Sequence, residues 1–184
     1  MMVKFMKAIS SILLCVCLTG SLGSAAERGP EYASFKKLEP MQSSIVGKVK
    51  VTLYEGLPHQ AWESDVLKTE LEKKETIKRH DFPFYKEPLK MSLEDMKSLL
   101  DLMKHKQSFL PFGGHKACGG YHPDYSIVME AGKEVVEIQV CFGCHEIKAY
   151  QGKEMAYCDI NGPAYKQLEK LLKKYRKQRP KPRF

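Results

Sequence analysis

The stretch Cys141-Phe142-Gly143-Cys144-His145 has residue types and a spacing that could do chemistry. C-x-x-C-H is the attachment spacing of a c-type haem, with two thioether sulfurs and a following imidazole for the iron. C-x-x-C also brings two thiols within reach of each other or of one metal ion. Cys118 and Cys158 flank the motif, and His115 and His122 lie nearby in the chain.

Four chemistries follow from this set. In the first, Cys118, Cys141, Cys144 and Cys158 form two disulfides; the most local pairing joins Cys118 to Cys141 and Cys144 to Cys158. In the second, Cys141 and Cys144 hold one haem c with His145 as proximal ligand and Met155, His115 or His122 as distal ligand, making a mono-haem electron-transfer protein. Phe142 is bulky for a spacer against a haem, and a β-type pattern flanks the motif on both sides. In the third, Cys118, Cys141, Cys144 and Cys158 complete a tetrahedral thiolate site for zinc or copper(I). In the fourth, Cys141 and Cys144 are a thiol–disulfide exchange pair with His145 as the nearby cation, although strand-like residues 146–150 supply no helix N-terminus to activate a thiol. An even number of cysteines in an oxidising compartment favours the first reading, with no cofactor. Cys118, His122 and Asp124 could be imagined as nucleophile, base and orienter, but no spacing enforces it, and Gly119-Gly120 reads more simply as a turn. The chain has no phosphate-cradling glycine loop, no H-E-x-x-H and no serine nucleophile elbow. A non-catalytic binding or envelope module is the expectation.

The elements that must position these residues are legible from periodicity. Residues 124–130 and 134–140 alternate about Ala131-Gly132-Lys133, and 146–150 and 154–158 alternate about Gln151-Gly152-Lys153, so two β-hairpins are expected. They form an up-and-down meander of four antiparallel strands. The start of one strand then lies beside the end of the next, and all four cysteines fall at one end of the sheet. Residues 45–54 read as a further strand, 59–74 as a helix anchored in the core by Trp62, and 76–85 as a second strand. A helix begins at Ser92, an N-cap with Asp95 three residues on. Residues 109–114 read as a loop. Gly162-Pro163 opens a last helix with Tyr165, Leu168, Leu171, Leu172 and Tyr175 on its buried stripe. The class is α+β: an antiparallel sheet including a C-terminal four-strand meander, with helices packed on one face. His59, His80 and His105 read as surface residues.

Lys4 and Lys7, an apolar run over 9–18 and Ser24-Ala25-Ala26 read as an export signal cut before Glu27. Cys15 and Cys17 sit inside that apolar run, and neither follows a small residue, so a lipoprotein anchor is not expected. The boundaries are a signal peptide over 1–26, an extended lead-in over 27–44, one α+β domain over 45–178 and a basic tail over 179–184. No span of about 20 apolar residues follows the signal, so the mature chain is expected in the periplasm or secreted, without a transmembrane segment.

The chain carries 30 Lys and Arg against 22 Asp and Glu, net +8. Lys173, Lys174, Arg176, Lys177, Arg179, Lys181 and Arg183 crowd its end. These cations could meet an anionic envelope surface; as a bland alternative they are a solvated helix end and frayed tail. Export removes most nucleic-acid partners.

The order Tyr54-Glu55-Gly56-Leu57-Pro58-His59, then Cys118-Gly119-Gly120-Tyr121-His122-Pro123-Asp124-Tyr125, then Cys141-Phe142-Gly143-Cys144 resembles a family of uncharacterised exported bacterial proteins. The resemblance implies no activity. It implies that the cysteine cluster is a device of that family.

Overall fold

The computed structural model describes residues 30–181; the leader assigned to 1–26 and the last three residues lie outside them. Strands β1 (Lys50–Glu55), β4 (Phe109–Pro111), β5 (Tyr125–Ala131), β6 (Glu134–Cys141), β7 (Glu146–Gln151) and β8 (Glu154–Ile160) form one antiparallel sheet in the order β1-β5-β6-β7-β8-β4. The expected meander is β5 to β8. Its two tight turns are made possible by Gly132 (φ 63°) and Gly152 (φ 58°), a backbone region that costs glycine nothing. A separate hairpin pairs β2 (Thr76–Arg79) with β3 (Phe82–Tyr85). The region expected as one strand over 76–85 is thus two, broken at His80, which itself takes a positive φ of 51°.

Helices α2 (Leu38–Ser44), α4 (Leu93–Lys104) and α5 (Gly162–Leu172) cover one face of the sheet. Leu38 and Met41, Leu99 and Met103, and Leu168, Leu171 and Leu172 pack there against Leu53, Ile127, Met129, Ile138, Val140, Ile147, Ala156 and Cys158. Each such aliphatic side chain, fully withdrawn from water, contributes roughly 1.5–3 kcal/mol before entropy is counted. Ser92 caps α4 through its Oγ, which accepts the Asp95 N–H at 3.1 Å. The Ser92 N–H goes to the Tyr175 hydroxyl at 3.2 Å, and the Asp95 carboxylate takes that hydroxyl at 2.6 Å and the Lys174 ammonium at 2.8 Å.

Four expectations are corrected. The extended lead-in is instead two short helices, α1 (Pro30–Lys36) and α2, because Leu38, Met41 and Ile45 recur at helical spacing and are buried. Pro40 sits in the first turn of α2, where a missing N–H costs nothing. Residues 109–111 are an edge strand, β4, on β8. Trp62 is no core anchor: it precedes α3 (Ser64–Lys73) and is 69% exposed, while the buried residue of α3 is Glu70, which accepts the Tyr85 hydroxyl at 2.7 Å. The basic tail is not frayed at its start: the Glu55 carboxylate, 1% exposed, accepts the backbone N–H groups of Lys177, Gln178 and Arg179 at 3.0, 2.8 and 3.1 Å.

Candidate functional site

The end of the sheet where the cysteines meet is built from three chain segments. The first leaves β1 at Glu55-Gly56-Leu57-Pro58-His59. The second is the loop that enters β5 through Cys118 to Asp124, and the third is the turn from Cys141 to His145. Gly56 lets the first two touch. Its N–H donates to the Asp124 carbonyl at 2.8 Å, and a Cβ on it would stand 2.0 Å from the Pro123 carbonyl oxygen. Asp124 joins the second segment to the third: its N–H donates to the Val140 carbonyl at 2.7 Å and its Oδ2 accepts the Phe142 N–H at 2.8 Å. The three stretches around Gly56, Cys118 to Asp124 and Cys141 to His145 therefore converge in space.

All four cysteines do lie at or near this end, but the expected pairing is not the one formed. Cys118 bonds to Cys144, with sulfurs 2.03 Å and Cα atoms 5.7 Å apart, and Cys141 and Cys158 are free, buried thiols. Side-chain alternation explains why. Val140, Ile147 and Cys158 lie opposite one another on the helix-covered face, while Cys141, Glu146 and Asp159 are one residue on and face the other way. The sheet itself separates Cys141 from Cys158. Cys144 stands in the turn beyond the strands, free of that alternation, and meets the loop cysteine instead.

The same geometry does not fit the two cofactor readings. A Cys118, Cys141, Cys144 and Cys158 thiolate cage would need ligands from both faces of the sheet and would need the bonded pair reduced. For haem, Cys144 is joined to Cys118 rather than open to a thioether. Met155 pairs with Tyr150 near the far end of β7, whereas His145 immediately precedes that strand. About five residues of extended chain, on the order of 15 Å, separate the two intended axial ligands. His145 is exposed, has φ 58° and stacks on Tyr165 at 3.8 Å. His115 is exposed and edge-on to Phe112. Nor do Cys141 and Cys144 form the exchange pair; the Cys141 sulfur accepts the Cys144 N–H at 3.4 Å, and burial pushes its thiol up. Burial in the core pushes the Cys158 thiol up to about 12.

The nucleophile–base–orienter set is taken apart in the same way. Cys118 is in the disulfide. His122 Nε2 bonds the Leu57 carbonyl at 2.7 Å, and burial pushes its imidazole down to about 4, so it is neutral at neutral pH. Asp124 Oδ1 pairs with the Arg179 guanidinium at 2.9 Å.

Around the disulfide sits a cluster that no local sequence pattern assembles. The His59 and His122 rings are 4.7 Å apart, and His59 lies 6.1 Å from Trp62. The Trp62 indole N–H donates to the Cys118 carbonyl at 3.1 Å. Gly119, at φ +77°, lies under it; a Cβ there would be 2.7 Å from the indole nitrogen. Arg179, whose side chain is 9% exposed, bridges Asp124 to Glu63. Burial pushes the Glu63 carboxyl up, but the His59 N–H and the Arg179 guanidinium outweigh it and hold the group below its ordinary value. Nothing local announces Arg179 as different from the other cations of the tail. Glu55 stands in the Tyr54-Glu55-Gly56-Leu57-Pro58-His59 stretch, but its role in holding that tail is a contact across the fold.

The sheet face away from the helices is polar. Glu137 accepts from Ser126 at 2.8 Å and Arg79 at 2.7 Å, and Glu146 takes Lys116 at 2.7 Å and the Tyr157 hydroxyl at 2.5 Å. Lys148 lies over the rings of Phe82, Tyr121 and Tyr157 at 5.2, 4.6 and 5.2 Å, and its burial there pushes the ammonium below its ordinary value.

No family model and no curated protein matches the chain. Among solved structures, the chain is similar to a "putative lipoprotein from Clostridium perfringens", over 80% of this chain and 97% of that one, with 15% identity and a TM-score of 0.42. Among the described residues no helix is long and apolar enough to cross a membrane.

Proposed function

We propose that the protein is an exported, non-catalytic binding module of the cell envelope, whose working corner is a rigid scaffold braced by the Cys118–Cys144 bond. One observation carries this reading: Cys118, Cys144, His122, Asp124 and Glu55 are each engaged in a covalent bond or in holding backbone, and the His59 Nε2, which has no hydrogen-bond partner among the described residues, is buried rather than presented to a substrate. The sulfurs of Cys118 and Cys144 are bonded to each other. His122 holds Leu57, Asp124 holds Phe142 and Arg179, and Glu55 holds the strap of residues 177–179. A catalytic set needs a group left free to meet substrate; a scaffold needs the reverse. The loop over residues 112–124 contains no strand or helix, and a covalent tie to the sheet is how a small exported domain orders such a segment. The leader over residues 1–26 supports an oxidising destination.

The test is a thiol titration of the mature chain recovered from outside the cytoplasm, denatured without reductant. Two reactive thiols per chain are expected, with peptide mapping joining Cys118 to Cys144. Four thiols in the exported protein, or retention of the chain in the cytoplasm with its leader uncut, overturns the reading.

A further inference from the structure

Cys141 is a buried thiol that takes no part in the brace, yet it touches both segments the brace joins. Its sulfur accepts the Cys144 N–H at 3.4 Å on the turn side. On the loop side the His122 backbone N–H is close enough to favour its charged form. A cysteine's own nitrogen and sulfur are joined through Cα and Cβ alone, so the Cys144 sulfur lies one side-chain rotation from the Cys141 sulfur. The two residues open and close a C-x-x-C stretch in the tight turn between β6 and β7. Such a turn holds its first and fourth Cα atoms within roughly 7 Å, about the reach of a disulfide. The bonded pair is unequal: Cys144 is buried, whereas Cys118 is only half-buried. A thiolate expelled from Cys118 therefore leaves on the water side, where its charge is better solvated.

The bond orders one short piece of the loop in particular. Upstream, Lys116 is held by Glu146 and Asp159 at 2.7 and 2.6 Å. Downstream, the Tyr121 hydroxyl donates to the Gln139 carbonyl at 2.7 Å, His122 bonds the Leu57 carbonyl, and the Asp124 N–H bonds the Val140 carbonyl. Between these anchors lies the tip over residues 117–120, where Gly119 and Gly120 have φ of 77° and 94°. Besides the disulfide, the tip is tied by the Trp62 indole N–H on the Cys118 carbonyl. Its order rests on the bond, and the chain's one tryptophan reports on it.

We infer that Cys141 is the resident nucleophile of a redox-neutral switch, which exchanges the Cys118–Cys144 brace for a Cys141–Cys144 bond and releases the loop tip over 117–120. The Cys141 thiol gives its proton to solvent base, and the thiolate attacks the Cys144 sulfur. The Cys141–Cys144 bond forms, the Cys118–Cys144 bond breaks, and its electron pair leaves on the Cys118 sulfur, which takes up a proton. One disulfide is consumed and one is made, so no oxidant or reductant is required. The brace is the resting state. Burial pushes the Cys141 thiol up, and the Asp124 and Glu146 carboxylates push the same way. The Tyr121, Tyr157 and Tyr165 hydroxyls also face it. Exchange is therefore slow at neutral pH and quickens as pH rises, in step with the thiolate fraction. The inference rests on the scaffold reading for the bond that is exchanged.

The experiment holds the folded mature chain, purified without reductant, with iodoacetamide from about pH 7 to 9, followed by acid quench and peptide mapping without reduction. Alkylated Cys118 is expected to accumulate together with a Cys141–Cys144 peptide, about tenfold faster per pH unit. Trp62 emission should change at the same rate, because the indole loses its fixed partner. Cys158→Ala should leave the rate unchanged, and Cys141→Ala and Cys141→Ser should abolish it. The serine keeps an acceptor for the Cys144 N–H, and the wild-type map decides the matter even where a variant fails to fold. Absence of Cys118 alkylation across this range overturns the inference. So do Cys118 alkylation that persists in the Cys141 variants, alkylation of Cys141 or Cys144 in place of Cys118, and exchange that leaves Trp62 emission unmoved. The denatured chain carries two thiols whichever sulfurs are joined. Failure of the exchange therefore leaves that count at two, whereas four thiols overturn the scaffold reading itself.

Discussion

Removing the Cys118–Cys144 bond is the perturbation whose size follows most directly from the structure. The two cysteines are 26 residues apart in sequence. Closing a loop of that length in the unfolded chain removes entropy worth about 3.5 kcal/mol at 25 °C in the chain-entropy account. Whole domains of this kind are stable by only about 5–15 kcal/mol, so the loss is large. The variant Cys118→Ala/Cys144→Ala should unfold in urea at a midpoint lower by about 1–3 M, given a slope of about 1–3 kcal/mol/M, with a steeper slope because its unfolded state is less constrained. In a thermal scan the same loss is roughly 7–14 °C. Cys158→Ala is the matched control. Cys158 is 0% exposed and packs in the apolar core, so deleting its sulfur leaves a small cavity worth about 1 kcal/mol, and Cys144 stays unreactive. The reasoning is refuted if Cys158→Ala costs as much as the double variant and leaves Cys144 free to react with a thiol reagent. It is equally refuted if the double variant loses less than about 1 kcal/mol.

Two further outcomes follow from the same corner. Gly56→Ala drives a methyl group into the Pro123 carbonyl, 2.0 Å from the Cβ position. Backbone on both sides cannot swing away, so a loss of at least about 1–3 kcal/mol is expected by urea midpoint, and a neutral result would mean the two loops do not meet. His122 is buried neutral with its imidazole pushed down to about 4 from 6.5. Between those values the unfolded chain binds a proton that the folded chain refuses. Stability from this group is therefore full above pH ~6.5 and is lost as pH falls toward 4, by at most about 3 kcal/mol. His122→Gln should flatten that part of the stability–pH curve relative to wild type. An unchanged slope would show that His122 does not stay neutral in the fold.

Local pattern determined the C-terminal half. Alternation in β5 to β8, the glycines at 132 and 152, the Ser92 cap and Pro163 at the first turn of α5 are interactions between residues close in the chain, and the chain states them openly. Antiparallel order then carries the cysteines to one end of the sheet with no further information. Tertiary structure alone decided which sulfurs meet. Part of that answer lay within reach: Cys141 directly follows Val140 of the buried set, so alternation turns it away from Cys158. Cys118 and Cys144 lie in loop and turn, where no periodicity constrains a side chain, and their meeting depends on how Gly56 and Asp124 seat the loop. The exposure of Trp62 and the burial of Arg179 have the same origin. Each is set by partners tens of residues or more away (Cys118 for Trp62, Glu63 and Asp124 for Arg179), and residues that meet only after the chain has folded leave no mark on their sequence neighbours.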